Sequence, residues 1–267
     1  MKLPKALPSL DRGRSRRDVV NDLRRLLPRL ESVSSAQRIF SFGLPLLDGH
    51  LPRGGIISGA LHEVTCAEDG DMPAALGFVI ALLTLMPRLD PVFLVASPRS
   101  LTNFGRLHGH GLKDLGLDPT RLVLVEPENE AQTLWAVQEA LRSAVPAAVV
   151  GAISKKLDLK MSRRLHLAAG NSELPLILLL PAGVMGSSAA ATRWRVSAVK
   201  AARDRFGLVT GWRWRAKLER CRNGRPGEWL LEFDHVAHRF SLAAPMADLA
   251  LSCRASAQFL AADANRS

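Results

Sequence analysis

Between residues 56 and 180 the chain alternates short apolar runs with helix-favouring segments, and this alternation leaves few architectures open. Strands are predicted over 56–64, 92–96, 121–125, 147–153 and 175–181, with helices over 73–86, 100–110, 130–143 and 158–169. Runs such as Pro175-Leu-Ile-Leu-Leu-Leu180 are apolar on both faces. They predict a mostly parallel central sheet flanked by helices on both sides, an α/β fold. After residue 185 the pattern changes to alternating strands over 193–198, 211–218, 227–233 and 235–242, with Asn223-Gly224 and Pro226-Gly227 marking a hairpin. These strands predict an antiparallel C-terminal extension of the sheet. At 267 residues and 47% hydrophobic content the chain suits one such domain with extensions. The expected division is a basic N-terminal extension over 1–35, a core over 36–245 and a tail over 246–267.

One loop carries the chemistry. Thr65-Cys-Ala-Glu-Asp-Gly-Asp-Met72 lies between the first strand and the first helix, at the spacing of a phosphate-binding loop. A working loop reads G-x-x-x-x-G-K-[S/T]: backbone N–H groups cradle phosphate, the Lys reaches the outer phosphates and the hydroxyl holds Mg²⁺. Here Thr65 replaces the first Gly, Gly70 keeps the second, Asp71 replaces the Lys and Met72 the Ser/Thr. An aspartate beside a polyanion has the wrong sign for binding it. The plainer alternative is an acidic helix start, capped by Asp69 or Asp71 ahead of Pro73.

The flanks widen the comparison. Gly43, Leu47, Asp48, Leu51, Pro52, Gly54, Gly55, Gly59 and Glu63 stand where the RecA ATPase core carries its entry run. The segment thus resembles a RecA-like core, over roughly residues 38 to 200. That resemblance implies a water-orienting Glu where Ser97 stands and a metal-organising Asp where Gly151 stands. Further on, Arg213-Trp-Arg and Arg220-Cys-Arg-Asn-Gly-Arg-Pro-Gly-Glu-Trp229 resemble the tail of the ImuA family, RecA-like accessory proteins of the bacterial SOS mutagenesis cassette. The resemblance implies a non-catalytic adaptor in error-prone translesion DNA synthesis, with no nucleotide cofactor, acting in the cytoplasm and on the nucleoid after DNA damage. The implied partner is ImuB, an inactive Y-family polymerase relative, with an error-prone replicative-type polymerase reached through it. Single-stranded DNA and RecA are further candidates. Two alternatives stay open: a RecA-like inhibitor of cell division resembling SulA, and a live RecA-type DNA-dependent ATPase.

The net charge of +11 is unevenly spread. Residues 1–30 carry nine Lys/Arg against three acids and residues 193–225 carry eleven against two, which leaves the rest slightly acidic. Focused positive charge points to a nucleic-acid or acidic-protein partner. Arg193, Arg195, Arg213, Arg215, Lys217, Arg220, Arg222 and Arg225 are the candidate contacts, and Trp194, Trp212, Trp214 and Trp229 lie among them. In a strand Trp212 and Trp214 share one face and Arg213 and Arg215 the other. The Trp face then suits either the core or base stacking. Gly186–Thr192, small and expected to be flexible, falls where RecA proteins place a DNA-binding loop. The terminal segments carry short apolar patterns, Leu23, Leu26 and Leu27 and then Leu249, Leu251 and Phe259, expected to dock a partner once ordered.

Three scattered cysteines suggest reduced thiols in the cytosol. His108-x-His110 and His235-x-x-His238 lack the further ligands of a metal site and read as solvated or hydrogen-bonded. No apolar run is long enough to span a membrane, and no Ser-His-Asp arrangement is recoverable.

Overall fold

The computed structural model describes residues 37–243, apart from 87–89, 98–99, 101–104, 185 and 204. Contacts divide the chain into Met1–Gln37 and Arg38–Ser267, and the fold is that of the second unit. Its strands are β1 (Ile39–Phe40), β2 (Ile56–Ile57), β3 (Leu61–Cys66), β4 (Val92–Ala96), β5 (Leu122–Val125), β6 (Ala148–Ala152), β7 (Leu176–Leu180), β8 (Thr192–Ala198), β9 (Ala202–Arg203), β10 (Val209–Cys221), β11 (Gly227–Asp234) and β12 (Arg239–Leu242). Its helices are α1 (Pro45–Asp48), α2 (Met72–Thr84), α3 (Gly109–Asp114), α4 (Glu130–Ser143) and α5 (Leu159–Ser172).

The main sheet runs β12-β11-β10-β8-β3-β7-β6-β4-β5, with β9 paired to β10. From β8 to β5 every neighbour is parallel. From β8 outward to β12 every neighbour is antiparallel. The parallel half is therefore buried between helices, as its doubly apolar strands require. One core cluster holds α2 against the sheet; a second holds Val137 and Leu141 of α4 with Leu165 of α5. Trp194 on β8 is fully buried at the centre of the first, its ring 5.7 Å from Phe42, 5.8 Å from Phe78 and 6.1 Å from Trp229.

Two predicted elements come out differently. The run 56–64 is not one strand. Gly59 turns at φ +66°, so Ile56–Ile57 pairs with β1 in a separate ribbon while Leu61–Cys66 enters the main sheet. Of the helix predicted over 100–110, Ser100 is helical, residues 101–104 lie outside the described residues, and α3 begins only at Gly109 after Gly105 at φ +82° and an extended His108. Asn223, at φ +60°, makes the turn of the β10–β11 hairpin.

Polar ties fix β3 in register. Trp194 Nε1 donates to Thr192 Oγ1 (3.1 Å), and that oxygen lies 2.8 Å from His62 Nδ1. His62 Nε2 lies 2.9 Å from the Ile57 carbonyl, which can only accept, so the ring carries its proton on Nε2 and takes the threonine proton on Nδ1. Burial lowers the His62 pKa from 6.5 to about 4. The folded state thus resists a proton that the unfolded chain accepts, and the stability gained by a neutral His62 is complete above pH 6.5. We expect stability to fall by about 1.4 kcal/mol per pH unit as pH drops from 6.5 toward 4. Denaturant titrations of the wild-type chain and of His62→Gln across this window should show a shallower slope in the variant.

Candidate functional site

The strand-loop-helix unit β3–α2 is in place, but its loop is filled by its own side chains. Thr65 is not in the loop: it lies within β3, buried, and its Oγ1 donates to the Trp194 carbonyl at 3.0 Å. The turn proper is Ala67–Asp71, ending in a 3₁₀ turn over Asp69–Asp71. Glu68 and Asp71 form a reciprocal capping box, each side chain accepting the other's backbone N–H. Asp71 Oδ2 accepts from Glu68 N at 3.2 Å, and Oδ1 accepts from Ala198 N at the end of β8 at 2.9 Å. Two N–H groups at the helix entrance, of the kind that cradle phosphate in a working loop, are thus already bonded to carboxylates. Met72, in the hydroxyl position, is buried in the core.

The two carboxylate positions are equally altered. Ser97, just past β4, is buried; its Oγ lies 3.4 Å from Ser100 Oγ, and its carbonyl accepts from that hydroxyl at 2.7 Å. Gly151 lies inside β6, where an added Cβ would stand 3.0 Å from Val137 Cγ2 of α4 and 3.0 Å from Leu178 Cδ2 of β7. Its missing side chain therefore points toward α4, while Val150 and Ala152 pack in the cluster that includes α2. No residue from 147 to 153 is acidic.

The Arg/Trp strands alternate as the pattern predicts. Trp214, Ala216 and Leu218 of β10 are buried, whereas Trp212 on the same face is 42% exposed. The opposite face is basic but mostly paired. Arg193 binds Glu63, Arg195 binds Glu219 and Arg213 binds Glu232, each at 2.7 Å, with Arg215 3.9 Å from Glu228. Glu228 and Glu232 belong to β11, outside the basic window, and register brings them opposite Lys217 and Arg213. The dense charge of residues 193–225 is therefore partly neutralised once the strands pair.

The segment expected to be flexible, Gly186–Thr192, is pinned instead. Arg193 Nη1 donates to the Gly186 carbonyl (3.0 Å) and Arg220 Nη1 to the Ser188 carbonyl (2.6 Å). Ser188 Oγ donates to Glu63, and Ala189 N donates to Ser162 Oγ at 2.8 Å. Pinning shapes one wall of a cleft of about 580 Å³, which Arg163 and His166 of α5 close with Arg220 and Arg222. No Asp or Glu lines it, and Arg163 and Arg222 form no ion pair among the described residues. Burial, then the nearby Arg222 charge, lowers the His166 pKa. Sequence spacing gave no sign of this cleft, because Arg163 and His166 lie more than fifty residues from Arg220 and Arg222. Lys217, Arg222 and Arg225 are exposed.

No protein-family model matches the chain. It is 36% identical over 230 residues to Protein ImuA of Caulobacter vibrioides strain NA1000 / CB15N, covering 79% of this chain and 91% of that protein. Protein ImuA of C. vibrioides strain ATCC 19089 / CIP 103742 / CB 15 matches to the same extent. The chain belongs to the ImuA family. The crystal structure of the RadB recombinase superposes with a TM-score of 0.51, covering 77% of this chain and 100% of that one. At 15% identity that likeness speaks for the fold, which is RecA-like.

In this ImuA-family chain the apolar positions Leu23, Leu26, Leu27, Leu249, Leu251 and Phe259 lie outside the described residues. Among the described residues no group of three or more His, Cys, Asp or Glu side chains is placed to hold a metal, and no helix is long and apolar enough to cross a membrane. His108 and His110 lie with ring centroids 5.2 Å apart. Restoring the lost carboxylate as Gly151→Asp should place a charge against Val137 and Leu178 and cost about 3 kcal/mol or more. A fall in the denaturation midpoint, with no gain in metal binding, is the expected result.

Proposed function

We propose that this chain is a RecA-fold adaptor without ATPase activity, serving the SOS-induced mutagenesis cassette beside an ImuB-like polymerase relative. It would act in the cytoplasm and on damaged DNA. Family membership supports the cassette, and one observation carries the non-catalytic reading: Asp71, in the lysine position, is bonded to Glu68 N and Ala198 N. Binding a triphosphate there would mean breaking a helix cap and seating a polyanion among Glu68, Asp69 and Asp71. Asp71→Lys should give no ATP turnover, because the water-orienting and metal-organising carboxylates are still missing. The same substitution removes the cap and the tie to β8, and should cost about 1–2 kcal/mol of stability. Turnover above a buffer blank in the wild-type chain, lost on mutating Gly70, would overturn this reading.

The chain's contact with DNA, on this reading, is electrostatic and independent of sequence. The paired arginines of β8 and β10 have less charge to offer than those of the cleft, where Arg163 and Arg222 face solvent without a carboxylate. Phosphates neutralised there would release counterions, so affinity should fall steeply with salt. The measurement is fluorescence anisotropy of a labelled oligonucleotide titrated with the full chain. Arg163→Glu with Arg222→Glu should weaken binding by about tenfold or more and reduce the slope of log K against log salt by about 1.4, at roughly 0.7 per contact on single strands. Arg213→Ala with Arg215→Ala should weaken it less. Equal loss in the two double variants would move the site to the outer face of the sheet.

A further inference from the structure

A second concavity lies on the opposite side of the sheet, beside the helix that follows the altered loop. It is a groove of about 480 Å³ with α2 along its floor, the segment from Gly105 into α3 as one wall and Trp212 and Trp214 of β10 as the other. Gly77 makes the floor. A Cβ there would stand 3.5 Å from Trp214 Cζ2 and 3.8 Å from a Leu115 methyl, ordinary contact distances, so both side chains lie directly over the helix at this point. Burial of aromatic surface explains Trp214. It does not explain Trp212, which stays 42% exposed at the mouth although Trp214, Ala216 and Leu218 further along that face are buried.

Two polar features distinguish this groove from a packing fault. The indole N–H of Trp214 donates no hydrogen bond among the described residues and borders the groove floor, 3.9 Å from where a Gly77 Cβ would stand. The charged rim is also of one sign: Arg106 and Arg213 line the groove and no Asp or Glu does. Arg213 is held by Glu232, while Arg106 is exposed and makes no ion pair among the described residues. An apolar trough with exposed Trp, an unused donor and an unpaired guanidinium suits an occupant that is apolar, bears an acceptor and is acidic at its edge.

We propose that this groove seats a short apolar segment of a protein partner, flanked by Asp or Glu. The α2 floor from Met72 to Ile80 is about 12 Å long at 1.5 Å per residue, room for two or three anchoring side chains. The anchors bury Trp212, a backbone carbonyl or carboxylate of the segment accepts from Trp214 Nε1, and the acidic flank meets Arg106. The groove runs along about two turns of α2 and leaves Trp212 42% exposed at its mouth, so a peptide segment covers the trough and the indole together.

The test is to pan a phage-displayed library of random peptides about 12 residues long against the full chain, then measure selected synthetic peptides by fluorescence titration. Selected sequences should pair two apolar residues with at least one Asp or Glu. Trp212→Glu and Leu107→Glu should each weaken them by about tenfold or more. Trp135→Glu, at an exposed position on α4 away from the groove, should leave them unchanged. Arg106→Glu, at an exposed site on the rim, keeps the fold and the apolar trough and should turn the preference from acidic to basic flanks. Any of three results overturns the proposal: no enrichment over the Trp212→Glu chain, peptides indifferent to both groove substitutions, or a flank preference that Arg106→Glu does not move.

Discussion

The structure is organised around β3, the strand on which its two halves meet. On one side it pairs with β7 of the parallel sheet; on the other it pairs with β8, from which the antiparallel strands extend. The Glu63–Arg193 pair locks this junction at 2.7 Å, with side chains only 3% and 13% exposed. Such a pair adds little when intact, since desolvation offsets attraction, but removing one partner strands a buried charge at a cost of about 3–5 kcal/mol. Its value is in position. Arg193 also holds the Gly186 carbonyl and Glu63 accepts from Ser188, so the junction fixes the segment that forms one wall of the basic cleft.

The same economy explains how a phosphate-binding architecture persists without the chemistry of phosphate binding. The first turn of α2 has unsatisfied N–H groups whatever its sequence. In a nucleotidase the ligand meets some of them. Here the loop ahead of α2 closes on itself instead: Glu68 and Asp71 cap the 3₁₀ turn over Asp69–Asp71, and Asp71 spends its second oxygen on the end of β8. The loop is thereby converted from a binding element into a brace between helix and sheet. The acidic cap expected at the start of α2 is found one turn earlier: Asp71, the N-cap residue of α2, makes no side-chain bond to that helix and closes the preceding 3₁₀ turn with Glu68.

Charge shows the largest gap between composition and surface. Eleven basic residues against two acidic ones over 193–225 suggest a strongly positive face. Antiparallel pairing then sets Glu232 opposite Arg213 and Glu228 opposite Lys217, so much of that face carries matched pairs. Exposed pairs of this kind contribute little to stability, yet they lower the field a polyanion would meet. The field survives where α5 meets the end of β10, because Arg163, Arg220 and Arg222 converge there with no carboxylate among them.

The sequence by itself determined the elements and the class of fold. The strand at Val92–Ala96 and the helix at Glu130–Ser143 fall where periodicity puts them, and Asn223-Gly224 turns the hairpin as its left-handed tolerance allows. The RecA-like fold and the ImuA family were legible from glycines, one Asp-bearing entry run and the Arg/Trp tail. Those signals are local: an element's period and a turn's φ depend on a few neighbouring residues. Tertiary structure decided what is non-local. It broke the run 56–64 at Gly59, aimed position 151 at α4, paired Arg193 with a glutamate 130 residues away and brought Arg163 and Arg222 into the lining of one cleft. Which charge neutralises which, and which side chain meets a cavity, follows from strand order and register across the sheet, and no window along the chain contains that information.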